Sequence, residues 1–224
     1  MTLLIIRHAE SVENADKYNG FYQDPRPFSG ATAHGISRNL VGLTPRGFRQ
    51  AQWLAETIPA LMHDTLAIYT STYRRAIDTA AIALPTVPDG WPRPTPLLDE
   101  QHYGDATYMT KRELYETYPE LAEDRRRRKH TWIAPGGGES LVDGVAKRAA
   151  EFTALARTAL SVPCTVVAFT HQTAAVALRA LLEGLPLPEV LAEERRGKLP
   201  NAAILRYDLH DGHFIRYGMT RPPF

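Results

Sequence analysis

The stretch Thr2-Leu3-Leu4-Ile5-Ile6-Arg7, with His8 directly after it, sets the reading of the whole chain. Large aliphatic and β-branched residues in one unbroken run make a buried strand. Working outward, Thr65 to Ser71 and Thr165 to Thr170 read as strands of the same kind. Helical spacing fills the intervals between them. Thr44-Pro45 starts a helix, with Thr44 as N-cap and Pro45 in the first turn. That helix passes Phe48, Ala51, Gln52, Leu54 and Ala55 and stops near Pro59. Arg75 to Leu84 puts Ala76, Ile77, Ala80, Ala81 and Leu84 on one helical face. Pro85 to Pro96 is a Pro- and Gly-punctuated loop, and Thr110-Lys111-Arg112-Glu113 is a capping box with a helix after it.

Further on, Ser140 to Leu160 is the clearest helix, with Val142, Val145, Ala149, Phe152, Ala156 and Leu160 in a buried stripe. Thr173 to Leu182 is an apolar helix behind the Thr165 strand. Ala202 to Leu209 and His213 to Tyr217 flank Asp211-Gly212, a hairpin-turn pair. The alternation predicts an α/β fold, a three-layer αβα sandwich whose central sheet is mostly parallel, with a hairpin strand at its edge. Residues 1–224 are read as a single domain.

Composition removes several classes of function. Hydrophobic residues make up 44% and charged residues 23%, with a formal net charge of +1, which excludes disorder, collagen and low complexity. A charge so near zero argues against a nucleic-acid partner. Cys164 is alone, so no intrachain disulfide framework is available. The apolar run Leu3 to Ile6 is too short for a signal peptide or a spanning helix, so no membrane is expected and the cytoplasm is the expected location.

Three of the strands end in polar residues: Arg7-His8, Thr70-Ser71 and Thr170-His171. Open α/β sheets bind ligands beyond the carboxyl ends of their strands. His8 and His171 taken singly read as capping histidines. With Arg7 beside His8, and Arg75 opening the next helix, they make a cationic pocket at one sheet edge. Planar guanidinium groups grip two oxygens of a phosphoryl dianion at once, and the positive charge stabilises phosphoryl transfer.

These residues carry a resemblance. Arg7-His8-Ala9-Glu10-Ser11-Val12-Glu13-Asn14 resembles the RHGES-x-x-N signature of the histidine phosphatase superfamily, which includes the cofactor-dependent phosphoglycerate mutases. Leu43-Thr44-Pro45-Arg46-Gly47 resembles LTxxG. Thr70 to Ala80 resembles SSPLxRAxxTA, Gly137-Gly138-Glu139-Ser140 resembles GGES, and Thr170-His171-Gln172 resembles SHG. All five occur in the family's order. The resemblance implies that His8 is the nucleophile, forming a phosphohistidine that splits one displacement into two. It implies that Arg7, Asn14, Arg75 and His171 bind the phosphoryl group. Asp99-Glu100-Gln101-His102-Tyr103-Gly104 resembles the mutase segment ERHYG, which makes Glu100 the general acid, with Asp99 in reserve. The alternative for Glu100 is a surface carboxylate on a loop.

The departures are Ala9 and Gln172 in place of glycines, and Gln101 in place of an arginine with which mutases hold substrate. Tyr108 also stands where the mutase pattern has Gly, and only a few residues separate Trp132 from Gly136, where mutases carry a long insertion. His102-Tyr103-Gly104 and Lys111 fall at mutase-like spacing. Hydrolysis of a small phosphorylated metabolite is therefore the preferred reading. A phosphoglycerate mutase is the alternative, and a silent phosphate-binding module is the third.

No cofactor is expected, and no metal, since no carboxylate or histidine cluster has ligand spacing. A small-molecule phosphate ester is the expected partner, and a homodimer stays open. Arg125-Arg126-Arg127-Arg128-Lys129 reads as a solvated helix face balanced by Glu120, Glu123 and Asp124, with a substrate-phosphate patch as the other reading. Gly136-Gly137-Gly138 is either the loop before the long helix or an anion cradle. The aromatic- and glycine-bearing stretch at about 17–42 reads as a flap insertion over the pocket or as a packed surface loop.

Overall fold

The computed structural model describes residues 1–18, 38–62, 66–87, 92–109 and 111–224. Most of the flap stretch, with Phe21, Tyr22 and Phe28, lies outside the described residues, as does Thr110 of the capping box.

In chain order the elements are β1 (Thr2–Arg7), α1 (Val12–Tyr18), α2 (Pro45–Thr57), β2 (Leu66–Thr70), α3 (Arg74–Ala83), β3 (Arg93–Pro94), α4 (Lys111–Thr117), α5 (Pro119–Arg127), α6 (Ala146–Ala159), β4 (Thr165–Thr170), α7 (Gln172–Glu183), α8 (Leu187–Arg196), β5 (Ile204–His210) and β6 (His213–Thr220). One sheet of six strands runs in the order β3-β2-β4-β1-β5-β6. β1, β2, β3 and β4 are mutually parallel, and the β5–β6 hairpin adds antiparallel strands at one edge.

The two-residue period of a strand explains how this sheet fills two cores. Leu3 and Ile5 of β1 join Val166 and Ala168 of β4 on one face, under Phe152 and Ala156 of α6 and the apolar side of α7. Leu4 and Ile6 join Val167, Phe169 and Ile68 on the other face, under Ala51 and Leu54 of α2 and Ala80 and Ala83 of α3. The three-layer sandwich with a mostly parallel sheet is thus the observed fold.

Local differences have local causes. The Ser140 to Leu160 helix opens with a wide π turn over Leu141–Val145, capped by Ser140, whose hydroxyl accepts from the Asp143 amide at 2.8 Å. The Pro85 to Pro96 loop contains the two-residue strand β3. It aligns on β2 because the Thr95 amide donates to Thr70 O at 2.8 Å. Gly136 and Gly137 take positive φ, so this run is the turn that leads into the helix. The basic run ends α5 and pairs with its own helix, Arg126 to Glu123 at 2.9 Å and Arg128 Nε to Asp124 at 2.7 Å. Among the described residues no helix is long and apolar enough to cross a membrane.

The Leu43 to Gly47 turn is a clamp on the loop after β1. Thr44 caps α2 by accepting from the Gly47 amide at 3.0 Å, and its hydroxyl donates to Glu10 Oε1 at 2.8 Å. A Cβ at Gly47 would stand 2.1 Å from Glu10 O. Gly47→Ala is therefore expected to push the β1 loop outward at a cost of about 1–3 kcal/mol, the usual scale of overpacking. A melting temperature equal to wild type would contradict this contact.

Candidate active site

β1, β2 and β4 end side by side, and the polar residues at their ends meet. His8 and His171 are buried, with ring centroids 4.9 Å apart. The loop at residues 197–203 supports His8 from below: the Ala202 amide donates to Arg7 O at 3.0 Å, and Asn201 Nδ2 donates to His8 O at 2.9 Å. The Ala9 side chain fits wholly inside the core, so the absent glycine creates no clash, and the Ala9 amide donates to Thr79 Oγ1 at 3.0 Å.

Hydrogen bonds fix the state of each imidazole. The Ala9 carbonyl, 2.7 Å from His8 Nδ1, can only accept, so Nδ1 carries the proton. Nε2 is left with its lone pair, which accepts from Arg75 Nε at 3.2 Å. Burial, with Arg75 and then Arg7 beside the ring, holds His8 well below the usual histidine range. His171 is the opposite tautomer. Both Asp99 oxygens are taken: Oδ1 accepts from Ser71 Oγ at 2.6 Å and the Thr72 amide at 2.7 Å, and Oδ2 accepts from Thr72 Oγ1 at 2.7 Å. Ser71 has thereby spent its proton, so His171 Nε2–H donates to it at 2.7 Å. His171 Nδ1 is buried with no partner among the described residues. Burial, then Arg75 and His8, keeps His171 well below its ordinary range too.

The arginines are held from several sides. Arg75 donates from Nη1 to Arg38 O at 2.9 Å, lies 3.6 Å from Glu13, and stacks over Tyr73 with its guanidinium 4.7 Å from the ring centre. Burial pulls Arg75 down to about 10, which leaves it protonated at neutral pH. Arg7 Nη1 donates to Leu199 O, in the loop that also carries Asn201. Asn14 Oδ1 accepts from Asn201 Nδ2 at 3.0 Å and from the Ser11 amide at 3.2 Å. The structure thus brings His8, Arg7, Arg75, His171 and Asn14 into one connected cluster.

Glu100 is buried, not a surface carboxylate, and accepts from the first turn of α7, the Thr173 amide, at 3.1 Å. Asp99 faces the Ser71 turn and is the residue that orients His171, which does not suit the reserve role of acid. Gln172 fits where the resemblance has glycine because its amide nitrogen donates to Glu194 of α8. Gln101 is buried and bonds Glu139 O at 2.8 Å.

Sequence reasoning missed Ser71 and Asp99 as a pair, Glu13 and Arg38 as ion partners, and Asn201. Ser71, Glu13 and Asp99 lie inside motif segments already singled out, which made them findable, whereas Arg38 and Asn201 lie outside them. Among the described residues no group of three His, Cys, Asp or Glu side chains gathers as a metal site.

A pH response follows from the two buried imidazoles. The unfolded chain takes up protons near pH 6.5, and the folded chain does so only at lower pH. Stability is therefore fully present above pH 6.5 and falls as pH drops from there toward the lowered folded values, by up to about 1.4 kcal/mol per pH unit for each histidine. Thermal melts at pH 7.5 and 5.5 measure it, and His171→Gln is expected to flatten the difference. Nitrogen NMR at pH 6.5 should show both rings neutral, and a protonated His8 there would contradict the assignment.

The family model of the histidine phosphatase superfamily (branch 1) matches residues 3–217. The 2,3-bisphosphoglycerate-dependent phosphoglycerate mutase of Mycobacterium leprae is 32% identical over 238 residues, covering 93% of this chain and 86% of its own. Among solved structures, a mycobacterial glucosyl-3-phosphoglycerate phosphatase superposes with a TM-score of 0.68 at 26% identity, covering 96% of each chain. The alpha-ribazole phosphatase of Shigella flexneri superposes with a TM-score of 0.74 at 22% identity, over 96% of this chain and 94% of that one, a likeness of fold.

Proposed function

The chain belongs to the histidine phosphatase superfamily, and on that footing we propose that it hydrolyses phosphate monoesters of small metabolites through a phosphohistidine at His8. The observation that carries this reading is the Nε2 lone pair of His8, unprotonated because Nδ1–H is tied to Ala9 O, and directed toward Arg75. A neutral, fixed imidazole is what in-line attack on phosphorus requires.

The steps balance as follows. The phosphoryl group enters among Arg7, Arg75, Asn14 and His171, and Arg75 exchanges its bond to His8 for one to a phosphoryl oxygen. Nε2 attacks phosphorus, the P–O ester bond breaks, and the leaving alkoxide takes the proton of the Glu100 carboxylic acid. Glu100, now a carboxylate, removes a proton from water. That water attacks phosphorus, the P–N bond breaks, and its electron pair returns to Nε2. The cationic groups stabilise charge on the equatorial oxygens in both steps.

A mutase would pass the phosphoryl group to a second hydroxyl instead of water, and the identity to the Mycobacterium leprae mutase supports that second reading. Against it stands uncharged Gln101. Only a few residues separate Trp132 from Gly136, where mutases carry a long insertion. Incubation with 3-phosphoglycerate separates the two. A phosphatase releases inorganic phosphate, while a mutase yields an isomer and no phosphate. The buried, free thiol of Cys164 fits a reducing cytoplasm. Acid-labile phosphate on the quenched enzyme, at one equivalent and absent from His8→Ala, is the expected outcome. Rapid turnover with no phosphoenzyme would overturn the mechanism.

A further inference from the structure

Resting on the phosphatase reading with Glu100 as its acid, we propose that Glu139 and Arg148 are positioning residues for proton transfer. Their ion pair grips the chain on either side of Glu100 and so fixes where its carboxyl meets the leaving oxygen. Glu139 belongs to the Gly137-Gly138-Glu139-Ser140 stretch, to which the steps at His8 give no part.

Downstream of Glu100, Glu139 Oε1 accepts from the His102 amide at 2.8 Å, and the Glu139 amide donates to His102 O at 3.0 Å. Gln101 Nε2 donates to Glu139 O at 2.8 Å. Upstream of Glu100, Arg148 of α6 donates from Nη2 to Asp99 O at 3.3 Å, while its Nη1 pairs with Glu139 Oε2. The Glu139 and Arg148 side chains are 17% and 23% exposed, which sets this pair apart from the solvated pairs of α5. The fold makes room for it. Gly144 lies in the π turn, and a Cβ there would stand 2.0 Å from Glu139 Oε2. The Glu100 carboxyl is aimed by the Gln101 amide at 3.0 Å and the Thr173 amide at 3.1 Å, both on Oε1. The Gln101 amide is part of the gripped segment. A shift of that segment therefore moves the acid and one of its donors together, away from the leaving oxygen. Misplacing a reacting group by about 1 Å costs on the order of 10²-fold in rate.

The test measures phosphoenzyme formation in single turnovers of glycerol 1-phosphate and of p-nitrophenyl phosphate. Glu139→Gln keeps an oxygen for the His102 amide and removes the charge that holds Arg148. It should slow the alkyl ester by about 10–100-fold and the aryl ester by less than about threefold, because only the alkoxide needs the proton. Arg148→Met should give the same contrast, and Arg148→Lys should recover most of the alkyl rate. Both rates are read in one preparation, so partial loss of folded protein cancels from their ratio. In a Glu100→Gln background, Glu139→Gln should add almost no further loss for the alkyl ester, since the proton it positions is gone. Equal slowing of both esters by Glu139→Gln and Arg148→Met, or full additivity with Glu100→Gln, would show a pair that only braces the loop. Either result overturns the inference and leaves the phosphatase reading intact. Equal slowing of both esters by Glu100→Gln itself would remove the acid, and this inference with it. No turnover of either ester by the wild type would overturn the phosphatase reading too.

Discussion

His8→Ala should lower turnover of every phosphate monoester by about 10⁴-fold or more, because it removes the atom proposed to attack phosphorus. The fold should survive. His8 sits just past the end of β1, where its amide donates to Thr170 O of β4 at 2.8 Å, and Ala9, Thr79 and Asn201 hold the loop through backbone groups that alanine keeps. Inorganic phosphate should still bind, since the guanidinium groups of Arg7 and Arg75 remain. The measurements are steady-state rates, acid-stable and acid-labile phosphate after quenching, and phosphate binding by calorimetry. A variant that turns over near the wild-type rate would show that another group attacks phosphorus. A variant that also fails to bind phosphate would show that His8 organises the arginines, which bond it directly through Arg75.

Glu100→Gln should slow alkyl phosphates by about 10²–10⁴-fold, the usual scale for general acid catalysis, and aryl phosphates far less in the phosphorylation step. An alkoxide needs a proton as it leaves, whereas a nitrophenolate does not. Glutamine keeps an oxygen able to accept from the Thr173 amide, so the geometry at the start of α7 is preserved. Release of phosphate from the intermediate should slow for both substrates, since in the proposed mechanism Glu100 also activates water. A burst experiment separates the two steps. Equal loss of the phosphorylation rate for alkyl and aryl esters would make Glu100 a positioning residue. Asp99 would not inherit the role, as both its oxygens are engaged in the Ser71-Thr72 turn.

Which parts of this site were readable in sequence depends on distance along the chain. The three strands announced themselves as apolar runs, and their polar ends placed Arg7, His8, Ser71 and His171 at one edge. Local signals also gave the Thr44 cap and the start of the long helix at Ser140, because a helix start is decided within a few residues. The Ser71–Asp99 pair and the Asn201–His8 contact join residues far apart in sequence, and nothing in either segment alone names the other. Arg38 was unreadable for the same reason, since its meaning comes from its bonds to Glu13 and Gln101. The π turn at Leu141–Val145 was hidden because its apolar spacing still matches a helix. β3 was hidden because two residues give no periodicity.

The place of β1 in the sheet also governs when activity can arise as the chain is made. β1 is synthesised first, yet its neighbours are β4 and β5, whose residues lie 165–170 and 204–210. At ribosomal rates, about 10–40 s pass between the emergence of His8 and that of its last supporting strand. Throughout that interval this buried, largely apolar strand has both edges open, a surface prone to wrong pairing. Nascent chains stalled before Asn201 should therefore be inactive and dependent on chaperones, even though His8, Arg75 and His171 have all been made by then.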